Sequence, residues 1–108
     1  MKVVAFNCRG FGNQPAVEGL LELQKVEDPD ILFLSETKLD RERMKRIKVL
    51  LGMPNMEVKD CEGQSGGLAL LWKKDVNVRV NPGMSRYHID TDVTGEDGFV
   101  WRLTSIYG

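Results

Sequence analysis

Cysteine is scarce in this chain. Cys8 and Cys61 are the only two among 108 residues, too few for a disulfide framework and not spaced as a C-x-x-C pair, so both are expected to be reduced structural thiols. No apolar run approaches the roughly 18 residues that a membrane-spanning helix needs. The apolar start of the chain meets polar Asn7 and Arg9 where a signal peptide would continue its hydrophobic region. A soluble intracellular chain with no membrane partner is therefore expected, the nucleus being one compartment open to it. An excess of one charge sign is also missing. Fifteen Lys and Arg against sixteen Asp and Glu leave a net charge of -1, so any polyanion must be held by a local patch rather than by a global field. Repeats, low-complexity tracts and Pro/Gly/Ser-rich linkers are absent too. What remains, at 42% hydrophobic and 29% charged residues, has the proportions of one ordinary globular domain.

The order of elements carries more information than the composition. Residues 2 to 8, K-V-V-A-F-N-C, form a short valine-rich run bounded by Arg9-Gly10-Phe11-Gly12 and read as a buried strand. Asn13 is placed to cap a helix and Pro15 to occupy its first turn, with Ala16, Val17, Leu20, Leu21 and Leu23 as its apolar face and Asp28-Pro29 as its stop. Ile31-Leu32-Phe33-Leu34 is a second strand, so residues 2 to 35 form a βαβ unit whose strands should be parallel and buried on both faces. A second helix is expected from Asp40, its cap, to Leu51, with Met44, Ile47, Leu50 and Leu51 facing inward and Gly52 and Pro54 ending it. Beyond it, residues 56–61, 67–72, 76–80, 87–93 and 99–107 are strand-like runs, with Gly95-Glu96-Asp97-Gly98 a strong turn. The fold class is thus α/β, a mixed sheet with a βαβ start followed by an antiparallel meander.

Several constellations could carry chemistry. Gly10-x-Gly12 after a strand suggests a dinucleotide site, but Pro15 takes the slot of the third glycine and the meander does not suit a doubly wound sheet. Asn7 and Glu36 end two parallel strands, where a ligand crevice forms. A carboxylate beside a carboxamide suits a hard cation such as magnesium, which keeps several waters and takes phosphate oxygens as further ligands. The competing reading makes Asn7 a turn cap and Glu36 the start of a solvated loop, and the residues alone leave both open. Arg41, Arg43, Lys45, Arg46 and Lys48 give the second helix a basic side that could touch a DNA backbone or simply be solvated. Trp72 and Trp101, among leucines and valines, read as core rather than as base-stacking platforms.

The motifs N-C-R-G at 7–10, P-D-I-L-F-L-S-E-T-K at 29–38, S-G-G-L-A-L-L-W at 65–72, H-I-D at 88–90 and W-R-L-T-S-I-Y-G at 101–108 occur in an order and spacing that is specific. On them the chain resembles the endonuclease/exonuclease/phosphatase superfamily, most closely the abasic-endonuclease-like, exonuclease III-type domain of non-LTR (LINE-type) retrotransposons. The resemblance implies a two-layer α/β sandwich whose rim binds magnesium, with manganese as the alternative ion, and cuts DNA phosphodiester bonds by in-line attack of water. It implies Glu36 as the metal-binding carboxylate, Asn7 as a group orienting carboxylate and phosphate, Tyr107 near the scissile phosphate, and Arg9 and Lys38 as phosphate contacts.

The resemblance extends over residues 1 to 108 but spans only the first half of the family domain. The Asp-x-Asn motif and the Asp-His pair that activates water belong to the second half. His88, the single histidine, sits in the first-half pattern and is not the missing base. The chain is therefore expected to be a truncated domain, inactive alone, whose missing half would come in trans or in a longer product. The alternative is a non-catalytic remnant or gene-model fragment with at most a binding role.

Overall fold

The structure, a computed structural model, describes residues 1–10, 14–62, 65–82 and 88–106, without the side chains of residues 14, 60–62 and 65. The expected cap Asn13 and Tyr107 lie outside the described residues. Elements follow in the order β1 (Val3–Asn7), α1 (Gln14–Glu27), β2 (Ile31–Ser35), α2 (Arg41–Leu51), β3 (Asn55–Glu62), β4 (Ser65–Trp72), β5 (Asn77–Val80), β6 (His88–Thr94) and β7 (Val100–Ile106). The expected βαβ unit is present, β1 running parallel to β2 with Val3 opposite Ile31 and Asn7 opposite Ser35. Helix α2 has the termini its sequence encodes. The Asp40 side chain accepts from the Arg43 backbone N–H at 2.9 Å, and Gly52 closes the last turn at φ 66°, a left-handed conformation that costs glycine little.

The strands after α2 pair antiparallel with one another, as expected. They divide between a four-stranded sheet, order β1-β2-β4-β3, and a three-stranded antiparallel sheet, order β5-β6-β7. β4 inserts between β2 and β3 because Gly-Gly-Leu-Ala-Leu-Leu is apolar on both faces and suits a central strand. β3, with Glu57 and Lys59, suits an edge. One core lies between the first sheet and the helices, where Leu32, Leu34, Ala69 and Leu71 meet Leu20, Met44, Ile47 and Leu51. The other lies between the two sheets, where Ile31, Leu68 and Leu70 meet Ile89 and Val93, with Trp72 and Trp101 packed beside them as expected. Each fully buried leucine or isoleucine contributes about 1.5–3 kcal/mol, so these two layers fix the strand ends that carry the polar residues.

Two expectations need correction. β1 is not buried on both faces. It is the edge of its sheet, and Val3, Ala5 and Asn7 are exposed, since the second sheet covers β2 and β4 but does not reach β1. Leu50 does not join the inward face of α2. It is 51% exposed while Met44, Ile47 and Leu51 are buried, because it falls on the flank of the helical stripe that these three define.

Candidate active site at the ends of the parallel strands

The parallel register brings Asn7 and Ser35 side by side at the C-terminal ends of β1 and β2, and Glu36 is the next residue. The two loops that leave these strands are tied together by backbone. Cys8 N–H donates to the Ser35 carbonyl at 2.9 Å and Gly10 N–H to the Glu36 carbonyl at 2.7 Å. Among the described residues, four that are not glycine have positive φ, and three of them stand here: Arg9 at 49°, Glu36 at 50° and Lys38 at 56°. L-residues adopt this region at a cost of about 1–2 kcal/mol each. Such strain gathers at functional sites, where the surrounding structure over-determines it.

The side chains around these strand ends differ sharply in exposure. Asn7, Arg9 and Lys38 are exposed, Glu36 is half-buried, and Cys8 and Thr37 are buried. Asn7 Oδ1 accepts from Arg9 N–H at 3.0 Å, so the turn-cap reading of Asn7 holds, and its amide nitrogen is a pure donor. The Lys38 stem lies close across Gly10, where a Cβ would meet Lys38 Cδ at 3.0 Å, and Gly10 itself has φ 85°, a conformation that favours glycine. Burial, and secondarily the Glu36 carboxylate, push the Cys8 thiol up to about 12. This agrees with the structural thiol expected of Cys8, which is free and buried. Thr37, wholly buried, was missed by sequence reasoning. Its hydroxyl accepts from Leu39 N–H at 3.3 Å, and a polar residue after a run of apolar ones gave no signal of it.

The donor set can be weighed for a divalent ion. No group of three or more His, Cys, Asp or Glu side chains is placed to share an ion among the described residues. One carboxylate, Glu36, fits only a hydrated ion that completes its shell with water and phosphate oxygens, which is the usual habit of magnesium. Arg9 and Lys38 add exposed positive charge on the same rim. The basic side of α2 is partly engaged elsewhere, since Arg41 donates to the Val58 carbonyl at 3.2 Å and pairs with Glu57, and Lys45 pairs with Glu42. A cleft of about 640 Å³ lies at the opposite end of the sheets, among Asp30, Asp75, Glu96, Asp97 and Trp101. Its carboxylates repel a phosphate rather than hold one. No helix among the described residues is long and apolar enough to cross a membrane.

Comparison with known proteins agrees with this arrangement of strands and helices. The model of the Endonuclease/Exonuclease/phosphatase family matches residues 4–107. No curated protein matches the chain at a significant level. Among solved structures, the chain is similar to an AP endonuclease from Leishmania major (TM-score 0.65, 19% identity, 98% of this chain and 39% of that one). It is also similar to the APE2 catalytic domain of Xenopus laevis (0.69, 19%, 99% and 45%). A third likeness is to a 3' phosphatase from Neisseria bound to a product DNA hairpin (0.68, 20%, 99% and 41%). The chain thus spans about two fifths of the length of these structures, and at such identities they show a shared α/β sandwich. Taken with the family match over nearly its whole length, the chain belongs to the endonuclease/exonuclease/phosphatase family.

Proposed function

We propose that residues 1–108 form the metal-binding half of a magnesium-dependent phosphodiesterase that acts on DNA, in a domain of retrotransposon origin. The observation that supports this best is the meeting of one carboxylate (Glu36), one amide donor (Asn7) and two exposed cations (Arg9, Lys38) at adjacent strand ends, in a chain of a family of nucleases and phosphatases. On this reading the Glu36 carboxylate holds the ion. The Asn7 amide and the Arg9 and Lys38 cations hold the non-bridging phosphate oxygens, and Tyr107 stands near the scissile bond. A bound magnesium ion would supply charge neutralisation on the phosphate and a polarised water. The Neisseria relative, solved with a DNA product, supports DNA as the substrate class.

Binding and turnover separate in this chain. The Asp-x-Asn and Asp-His elements that activate water belong to the second half of the family pattern. General base catalysis contributes about 10²–10⁴ in rate, so residues 1–108 alone should bind ion and DNA with little or no cleavage. A purely non-catalytic role is the second reading, favoured by the single carboxylate of the described rim. The test is calorimetric titration of magnesium into the chain, together with fluorescence anisotropy of a labelled duplex in magnesium and in chelator. Glu36→Gln should abolish magnesium binding. Arg9→Gln and Lys38→Gln should weaken DNA binding and leave magnesium affinity within about twofold, since neither side chain supplies a ligand oxygen. Equal magnesium affinity in wild type and Glu36→Gln would refute the assignment.

A further inference from the structure

Up to Ser35 the β2–β4 ladder is regular, Ile31 lying opposite Trp72, Leu34 opposite Ala69 and Ser35 opposite Leu68. Continued without interruption, it would set Glu36 opposite Gly67 and Thr37 opposite Gly66. The backbone bonds fall one residue later: Thr37 N–H donates to the Gly67 carbonyl at 3.2 Å and Lys38 N–H to the Gly66 carbonyl at 2.9 Å. Glu36 is therefore an extra residue, a bulge, and its φ of 50° marks the insertion. Strict alternation along β2 would place Glu36 on the same face as Leu32 and Leu34, beneath the helices. The bulge breaks that alternation at Glu36, which is half-buried.

The opposing strand makes this possible. Gly66 and Gly67 have φ of 77° and 90°, values that L side chains rarely adopt, and these two residues supply the carbonyls that accept from Thr37 and Lys38. On the other side, the Gly10 N–H holds the Glu36 carbonyl at 2.7 Å. From this geometry we infer that Gly66 and Gly67 are positioning residues for a divalent cation: their left-handed backbone pins the Glu36 bulge and so aims its carboxylate into the crevice. The inference rests on the proposed reading of Glu36 as metal ligand. A Cβ at Gly66 would meet nothing within 4 Å, so alanine there adds backbone strain without a clash. The effect of Gly66→Ala therefore reports conformation alone.

The whole 108-residue chain can be made by ligation at Cys61, which allows D-alanine, at ease with positive φ, to be placed at position 66. Manganese affinity by electron paramagnetic resonance, the melting temperature, and hydrogen exchange of the Thr37 and Lys38 amides are measured for each protein. Strain at one left-handed residue is worth roughly a 5- to 30-fold change in an equilibrium, so Gly66→Ala should weaken manganese binding by about that factor and speed exchange at both amides. D-Alanine at the same position should restore both. The inference is overturned if Gly66→Ala lowers the melting temperature while manganese affinity holds, or if D-alanine weakens binding as much as L-alanine does. If the wild-type chain binds no manganese, or Glu36→Gln binds it equally well, the reading of the site itself falls and this inference falls with it.

Discussion

Replacing Glu36 with glutamine should make Cys8 easier to ionise, and the thiol then reports on the carboxylate without any need for catalysis. Cys8 is 2% exposed and its thiol is pushed up to about 12, first by burial and then by Glu36. At pH 8 such a group is thiolate in about one molecule in 10⁴, whereas a free cysteine near 8.5 is about a quarter ionised, so alkylation should be slower than for free cysteine by about 2 × 10³. The assay is iodoacetamide labelling followed by mass spectrometry, in a Cys61→Ser background so that only Cys8 reacts. Glu36→Gln should raise the rate while most of the protection remains, because burial is the larger cause. A magnesium ion on Glu36 should act in the same direction. Stability carries the same signature. The folded thiol keeps its proton between about pH 9 and 12 while the unfolded chain loses its own, so stability is complete below that window and falls with rising pH by about 1.4 kcal/mol per unit across it. Wild-type Cys8 labelled within tenfold of the free-cysteine rate, or slower labelling in Glu36→Gln, would refute the reasoning.

Acid should act through Asp90. This carboxylate, 7% exposed, is held at about 2 chiefly by its hydrogen bonds from Arg102, with Thr104 and Asn81 assisting. Its contribution is fully present above about pH 4 and is lost as pH falls toward 2, so melting temperatures between pH 5 and 2 should fall less steeply in Asp90→Asn than in wild type; identical acid limbs would count against it. Leu34→Ala, at a wholly buried position between sheet and helices, should cost about 2–5 kcal/mol by denaturant titration. That is a large share of the roughly 5–15 kcal/mol available to a domain of this size. Leu50→Ala, at the half-exposed flank of α2, should stay within about 0.5 kcal/mol.

What the sequence disclosed follows from which signals are local. The parallel β1–β2 pair, the Asp40 cap and the Gly52 stop are written in contiguous residues, and each stands where its residues place it. The Gly95–Gly98 turn is equally local. Gly98 sits at φ 80° and Gly95 N–H donates to the Phe99 carbonyl at 2.9 Å. The division into two sheets and the insertion of β4 beside β2 depend on which apolar faces meet across the chain, and no run of residues encodes that alone. The exposure of β1 is of the same kind. At the candidate site, Asn7 and Glu36 were visible as strand ends. Left-handed backbone at Arg9, Glu36 and Lys38 was not, because no local preference of arginine, glutamate or lysine announces it. In the fold it accompanies backbone bonds from the Gly10 N–H to Glu36 and from Thr37 and Lys38 to the Gly67 and Gly66 carbonyls, contacts between segments far apart in sequence.

The edge position of β1 sets a rhythm that isotope exchange can read. Lys2 C=O accepts from Ile31 N–H and Cys8 N–H donates to Ser35 C=O, which fixes the parity of the parallel ladder: the amides of Val4, Phe6 and Cys8 turn toward β2, and those of Val3, Ala5 and Asn7 turn outward. Deuterium uptake along residues 3 to 8 should therefore rise and fall with a two-residue sawtooth, while β2 and β4, flanked on both sides, take it up slowly throughout. Any segment that adds itself as a neighbouring strand would level the sawtooth, so the outward amides of β1 give a direct readout of strand pairing at this edge.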